Sequence, residues 1–164
     1  MTRFVSFRPR PIRRASIGPL ALLAFALAAP VPAQTAAQTG LPVIELNAGL
    51  YRIEAEVANS ERTRETGLMF RRQMAAGHGM LFVFPQPTLE CMWMKNTLIP
   101  LSVAFIDADG VILNIEEMAA QTENSHCSEG PARYALEMSR GWFSGKGITA
   151  GARLQGLEKA PPAE

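Results

Sequence analysis

The sequence predicts a mainly β fold, a β-rich α+β chain shaped as a compact β-sandwich or closed barrel with one or two short helices. Three observations carry that prediction. Short runs of strand character recur along the chain, punctuated by glycine, proline, asparagine and aspartate. Only one segment, beginning at Ser60, has clear helix-start chemistry, and it is short. No helix-length crossover separates the apolar runs, which excludes a doubly wound α/β arrangement.

Residues 1–33 read as an address rather than as part of the fold. Arg3, Arg8, Arg10, Arg13 and Arg14 form a basic start, residues 20–29 an apolar core, and Val31-Pro32-Ala33 a small-residue site of the kind a signal peptidase reads. The apolar run is about ten residues long, half of what a membrane-spanning helix needs. The expectation is a cleaved signal peptide and export to the periplasm or the extracellular space, with an uncleaved anchor as the alternative. Arg13-Arg14 is a weak twin-arginine signal, and no cysteine follows the apolar core as a lipid anchor would require. Cleavage would remove five arginines and no acid. The mature chain would hold 11 Lys and Arg against 15 Asp and Glu, a net charge of −4. That balance argues against nucleic acid or an anionic membrane surface as partner.

Residues 34–40 read as a flexible polar spacer, 41–158 as a single β-rich domain, and 159–164, with Pro161-Pro162, as a disordered tail. Residues 43–47 and Tyr51–Ala58 alternate as strands around a turn at Asn47-Ala48-Gly49. In the second run Tyr51, Ile53, Ala55 and Val57 share one face, and Arg52, Glu54 and Glu56 the other. Ser60 can cap a short helix that Gly67 ends, with Leu68, Met69 and Phe70 docking it on the sheet. Gly77-His78-Gly79 leads into residues 80–84, apolar throughout and stopped by Pro85 and Pro87. Residues 89–94 and Leu101–Ile106 share that unbroken apolar character, as strands covered on both faces do. Asp107-Ala108-Asp109-Gly110 turns the chain into a strand at 111–118. Residues 119–133 form a loop without periodicity, long enough to need a function or a tether. Residues 134–138 and 153–157 close the sheet across a glycine-rich segment.

Several blocks, in order, resemble one family. They are Gly67-Leu68-Met69-Phe70-Arg71, then Gly79-Met80-Leu81-Phe82-Val83-Phe84, then Trp93-Met94-Lys95-Asn96-Thr97-Leu98-Ile99-Pro100-Leu101 with Phe105-Ile106-Asp107 and Gly110. Leu136-Glu137, Gly141, Gly147 and Gly151 follow. Together they resemble the domain-of-unknown-function 192 family. The resemblance implies a small, compact β-rich protein, secreted or membrane-tethered, with no settled biochemical function. Ser102 stands where an aspartate is common in the family, so no role of that carboxylate carries over.

The signature run ends in three hydrogen-bonding side chains beside a tryptophan, which is how a ligand groove is often built. One reading places Lys95, Asn96 and Thr97 around a pocket floored by Trp93, with Arg71 adding a second positive charge. It would suit a small anionic or polyhydroxylated ligand, or an envelope protein. The competing reading is structural: Asn96-Thr97 shapes a turn, Pro100 fixes a bend, and Lys95 reaches to solvent. Cys91 and Cys127 are the only cysteines, and in an exported chain they are expected to pair. The bond would tether the long loop, for about 4 kcal/mol on the chain-entropy estimate.

Enzyme signatures are absent: no Gly-x-Ser-x-Gly, no phosphate-cradling loop, no His-Glu-x-x-His. Glu116 and Glu117 fall on opposite faces of a strand. Cys91, Met92 and Met94, with His78, Met80, His126 and Cys127 elsewhere, would favour Cu(I) if they converged. Methionine is a routine core filler, however, and Cys91 alternates away from Met92 and Met94. The expectation is a non-catalytic binding module without metal or cofactor. A hydrolase, and behind it a periplasmic Cu(I) protein, are the alternatives.

Overall fold

The strand-forming runs assemble into one curled sheet in the computed structural model, which describes residues 36–164. The expected signal peptide lies outside the described residues. β1 (Val43–Ala48) and β2 (Tyr51–Ala58) form the hairpin, with the turn at Gly49-Leu50 and Ala48 opposite Tyr51. Gly49 has φ 60°, backbone that such a two-residue turn needs and that glycine adopts without cost. α1 (Glu61–Thr66) follows. The Ser60 hydroxyl accepts from the Thr63 amide, the Thr63 hydroxyl accepts from the Ser60 amide, and Gly67 terminates the helix.

β3 (His78–Thr88) runs parallel to β2, with α1 in the crossover. It does not stop at Pro85 as the sequence suggested. Its register with its neighbour breaks between Val83 and Thr88, and the exposed prolines occupy that irregular stretch, where no ladder amide is needed. β5 (Leu101–Ile106) is buried at every position and pairs with β6 (Ile112–Met118) on one side and β8 (Ala132–Ser139) on the other. Between β5 and β6, Asp107 Oδ1 accepts from the amides of Asp109 and Val111 and shapes the expected turn. The short strand β9 (Leu154–Gln155) pairs with β1. The sheet order is β6-β5-β8-β3-β2-β1-β9. The sheet curls as a half-barrel, and its ends meet where Val111 bridges to Arg153 and Ile112 donates to Ala152.

Residues 89–94 correct the sequence reading most. Only β4 (Cys91–Met92) is extended, and it pairs with β7 (His126–Cys127) as a ribbon separate from the main sheet. Leu89 is 68% exposed and Trp93 48% exposed, so the run is no doubly covered strand. The expected disulfide joins Cys91 to Cys127 directly across this ribbon, with Cα atoms 4.0 Å apart. Antiparallel neighbours already bring Cα atoms about that close, so the bond fits the ribbon.

The sheet carries a core on each face. Inside the curl lie Leu46, Ile53, Ala55, Val57, Leu81, Val83, Ala104, Ile106, Leu136, Met138 and Phe143. Outside lie Ala58, Met80, Phe82, Phe84, Leu101, Val103, Phe105, Met118 and Ala135, with Leu68 and Met94 pressed down on them. The outer face is covered by α1, the segment after it and the signature loop. Residues read as spacer and tail are held by hydrogen bonds. Gln38 Nε2 donates to the carbonyls of Thr63 and Gly67, and Glu164 donates to Asn59.

Candidate functional site

Strand alternation decides what the outer face displays. A single cross-sheet row runs Glu56, Met80, Glu137, Val103 and Glu116, each residue opposite the next. Its outer acids are paired. Glu56 takes a two-pronged bond from Arg71, 2.6 Å to each oxygen, and Glu116 lies 3.7 Å from His126. Glu137, at the centre, is 4% exposed, and no hydrogen bond or ion pair joins its carboxyl to another described residue. Burial alone pushes it up to about 8, so at neutral pH it is predominantly the protonated acid.

Glu137 faces a cavity of about 370 Å³ between α1 and the disulfide-bonded loop. Phe82, Phe84 and Leu68 form apolar walls, and Trp93 and Met92 stand on the loop side. The helix contributes Glu61, Arg64 and Glu65, which the 3.6-residue repeat places on one face. Glu90 completes the polar lining; burial raises its pKa, and the Arg64 charge partly offsets this. Arg64 is the one cation in the lining, and its guanidinium is occupied by the carbonyls of Asn59, Val83 and Glu164. Gly67 also borders the space, and a Cβ there would lie 3.2 Å from the Phe82 ring. The α1 end can therefore sit close over the sheet.

The five residues singled out for the site fall into two sets. Trp93 and Thr97 line the cavity, and Thr97 is buried. Lys95 does not line it; its ammonium stands 5.2 Å from the Trp93 ring centroid, where cation and indole attract. Asn96 sits at φ 58° in the turn closed by the bond from Thr97 N to Met94 O, and its own carbonyl accepts from Phe70. Asparagine tolerates that left-handed backbone, so its place in the turn follows from its chemistry. Arg71 lies away from the cavity. Besides Glu56 it binds the Gln38 carbonyl, tying the segment after α1 to β2 and to the N-terminal approach.

Glu137 was absent from the sequence-derived candidates. Its signal was one acid inside the apolar run Tyr134-Ala135-Leu136-Glu137-Met138, a strand buried on both faces. The sulfurs once weighed as copper ligands are dispersed: Cys91 is bonded to Cys127, and Met94 is fully buried in the outer core. Among the described residues no three His, Cys, Asp or Glu side chains lie together as a metal requires.

A family model described as "Uncharacterized ACR", DUF192, matches residues 42–156. The chain belongs to the DUF192 family. It is also similar to two solved structures. A Sinorhizobium meliloti protein labelled a candidate transcription regulator is 35% identical with a TM-score of 0.68, over 73% of this chain and 98% of that one. A Novosphingobium aromaticivorans protein of unknown function is 28% identical with a TM-score of 0.69, over 79% of this chain and 94% of that one. The family carries no assigned function.

Proposed function

We propose that this DUF192 protein is an exported, non-catalytic module that binds a small organic ligand in the cavity between α1 and the Cys91–Thr97 loop. The observation that carries this reading is a buried carboxyl, Glu137, left without a protein partner at the wall of an aromatic-lined cavity. Burying a polar group unpaired costs free energy, and a ligand that satisfies it recovers that cost. Trp93 and Thr97 face the ligand. Lys95 steadies the indole, while Asn96 and Arg71 act at a distance by fixing the loops that shape the cavity. Of the two ligand classes expected from the sequence, the lining favours a hydroxyl-bearing molecule over an anion. Arg71 is paired with Glu56 away from the cavity, and Arg64 is outnumbered by the carboxyls of Glu61, Glu65, Glu90 and Glu137 in the lining, so the space is unfavourable to an anion.

Two measurements test the proposal. Envelope protein analysed by intact mass should begin at Gln34; a membrane-fixed chain retaining Arg13 and Arg14 overturns export. Two-dimensional NMR of the mature protein against a small-molecule panel should give hits that shift signals of Trp93, Thr97 and residues 61–68 together. A Trp93→Ala variant, folded by circular dichroism, should lose them. Hits that all map elsewhere, or that survive Trp93→Ala unchanged, overturn the cavity reading.

A further inference from the structure

We infer that the cavity takes a small organic cation, an ammonium-bearing molecule whose charged group sits against Glu137 among the rings of Phe82, Phe84 and Trp93. This rests on the proposed binding role and adds the chemical class of the ligand. Four carboxyls, Glu61, Glu65, Glu90 and Glu137, line the space, and the single guanidinium there, which donates to three backbone carbonyls, is outnumbered by them. An acidic lining alone would be only a solvated surface. What sets this one apart is that its innermost acid is 4% exposed and has no hydrogen-bond or ion-pair partner among the described residues. Aromatic faces beside it attract cations through their quadrupoles, most strongly where water is excluded. A bare metal ion fits poorly, because the walls are rings and aliphatic groups. A compact ammonium group with a carbon skeleton matches both halves of the lining, and the Thr97 hydroxyl can meet a hydroxyl on the ligand.

The inference has a proton signature. A bound cation favours the ionised form of Glu137, so binding below about pH 8 expels a proton from it. Affinity then rises with pH, by up to about tenfold per unit, and levels off near pH 8. Glu61, Arg64 and Glu65 face Glu137 from α1, and Glu90 from the segment after β3. On its own row stand the Glu56–Arg71 and Glu116–His126 pairs. These groups all remain when Glu137 is replaced, which isolates its share.

The test compares shape-matched probes on the mature, oxidised protein by titration calorimetry at pH 6 and 8.5, with NMR locating each site. Choline, whose quaternary charge does not change with pH, is set against 3,3-dimethylbutanol, its uncharged isostere. Choline should bind at least about tenfold more tightly, and more tightly at pH 8.5 than at pH 6. Glu137→Gln should erase both differences; Glu137→Met, apolar and of similar length, serves if the amide fails to fold. Equal binding of neutral and charged probes in the cavity, or a pH slope that survives Glu137→Gln, overturns the cationic class and leaves the cavity role standing. If no probe shifts a cavity signal, both fall.

Discussion

Leu136 and Glu137 are consecutive residues of one strand, both buried, and they point into opposite worlds. Leu136 enters the core inside the curl, where its neighbours from β3 and β5, Leu81 and Ala104, are apolar and fully buried. Glu137 enters the outer face, where a six-residue helix and a loop form the cover and a cavity lies beneath them. The inner face is built from strands that pair along their length. The outer cover is built from pieces too short to be stable alone and held by caps, hydrogen bonds, the Arg71–Glu56 pair and the disulfide. The contrast teaches how the two faces divide the molecule: the sheet closes on itself for stability and leaves the proposed binding site to its cover.

The largest effects should come from the inner face. Leu136→Ala is expected to lose about 2–5 kcal/mol in urea unfolding, the cost of a large-to-small change in a packed core. Glu137→Met, one residue away, should hold or raise stability, because it removes an unpaired buried carboxyl. Equal losses in the two variants would break the comparison.

Removing the bond with Cys127→Ser should cost about 2–4 kcal/mol under oxidising conditions and little when both proteins are fully reduced. Amide exchange should quicken in residues 89–97 and 119–128 while Leu81 and Leu136 stay protected. Faster exchange on the inner face would mean that the two sides are not independent.

The third effect is carried by pH. The Glu137 carboxyl titrates at about 8 in the folded chain against 4.5 when exposed, so the folded state keeps a proton that the unfolded state releases. Stability is therefore full below about pH 4.5, declines as pH rises from there to about 8, and is flat above. Glu137→Gln should flatten that part of the profile. A wild-type curve that rises over the same window would refute the unpaired, buried state of this group. The smallest effect concerns Lys95→Met, expected to change stability by about 0.5 kcal/mol or less, because the ammonium touches only an exposed indole.

Much of the fold was legible because local chemistry and burial agreed. The alternation of Tyr51–Ala58, the Ser60 cap, the Gly67 stop, the six buried residues of Leu101–Ile106 and the Asp107 turn are all written in short-range signals. The parallel pairing of β2 with β3 was not, since strand direction depends on how a crossover packs and not on either strand's pattern. Residues 89–94 misled for a related reason. Hydrophobicity there serves a ribbon, a cavity wall and the outer core in turn, and no period distinguishes these from a covered strand. Of the residues singled out from the sequence, Trp93 and Thr97 line the cavity, and the Cys91–Cys127 tether was readable from count and context. Arg71 looked like a free charge because its partner, Glu56, lies fifteen residues away on another strand. Glu137 went unseen because a lone acid in an apolar run has meaning only once its neighbours in space are known.

The closure of the sheet also has a consequence in time. Asn47 and Ala48, on one of the first strands, find their outer neighbours in Gln155 and Leu154, and the last residue, Glu164, donates to Asn59. These are contacts between the two ends of the domain. Chains dominated by such distant pairings fold slowly, because the loop must be closed before the contacts repay it. The curl can therefore shut only after Leu154 and Gln155 have been made. Until then β1 keeps an open edge, and the sheet can be threaded, captured or held back.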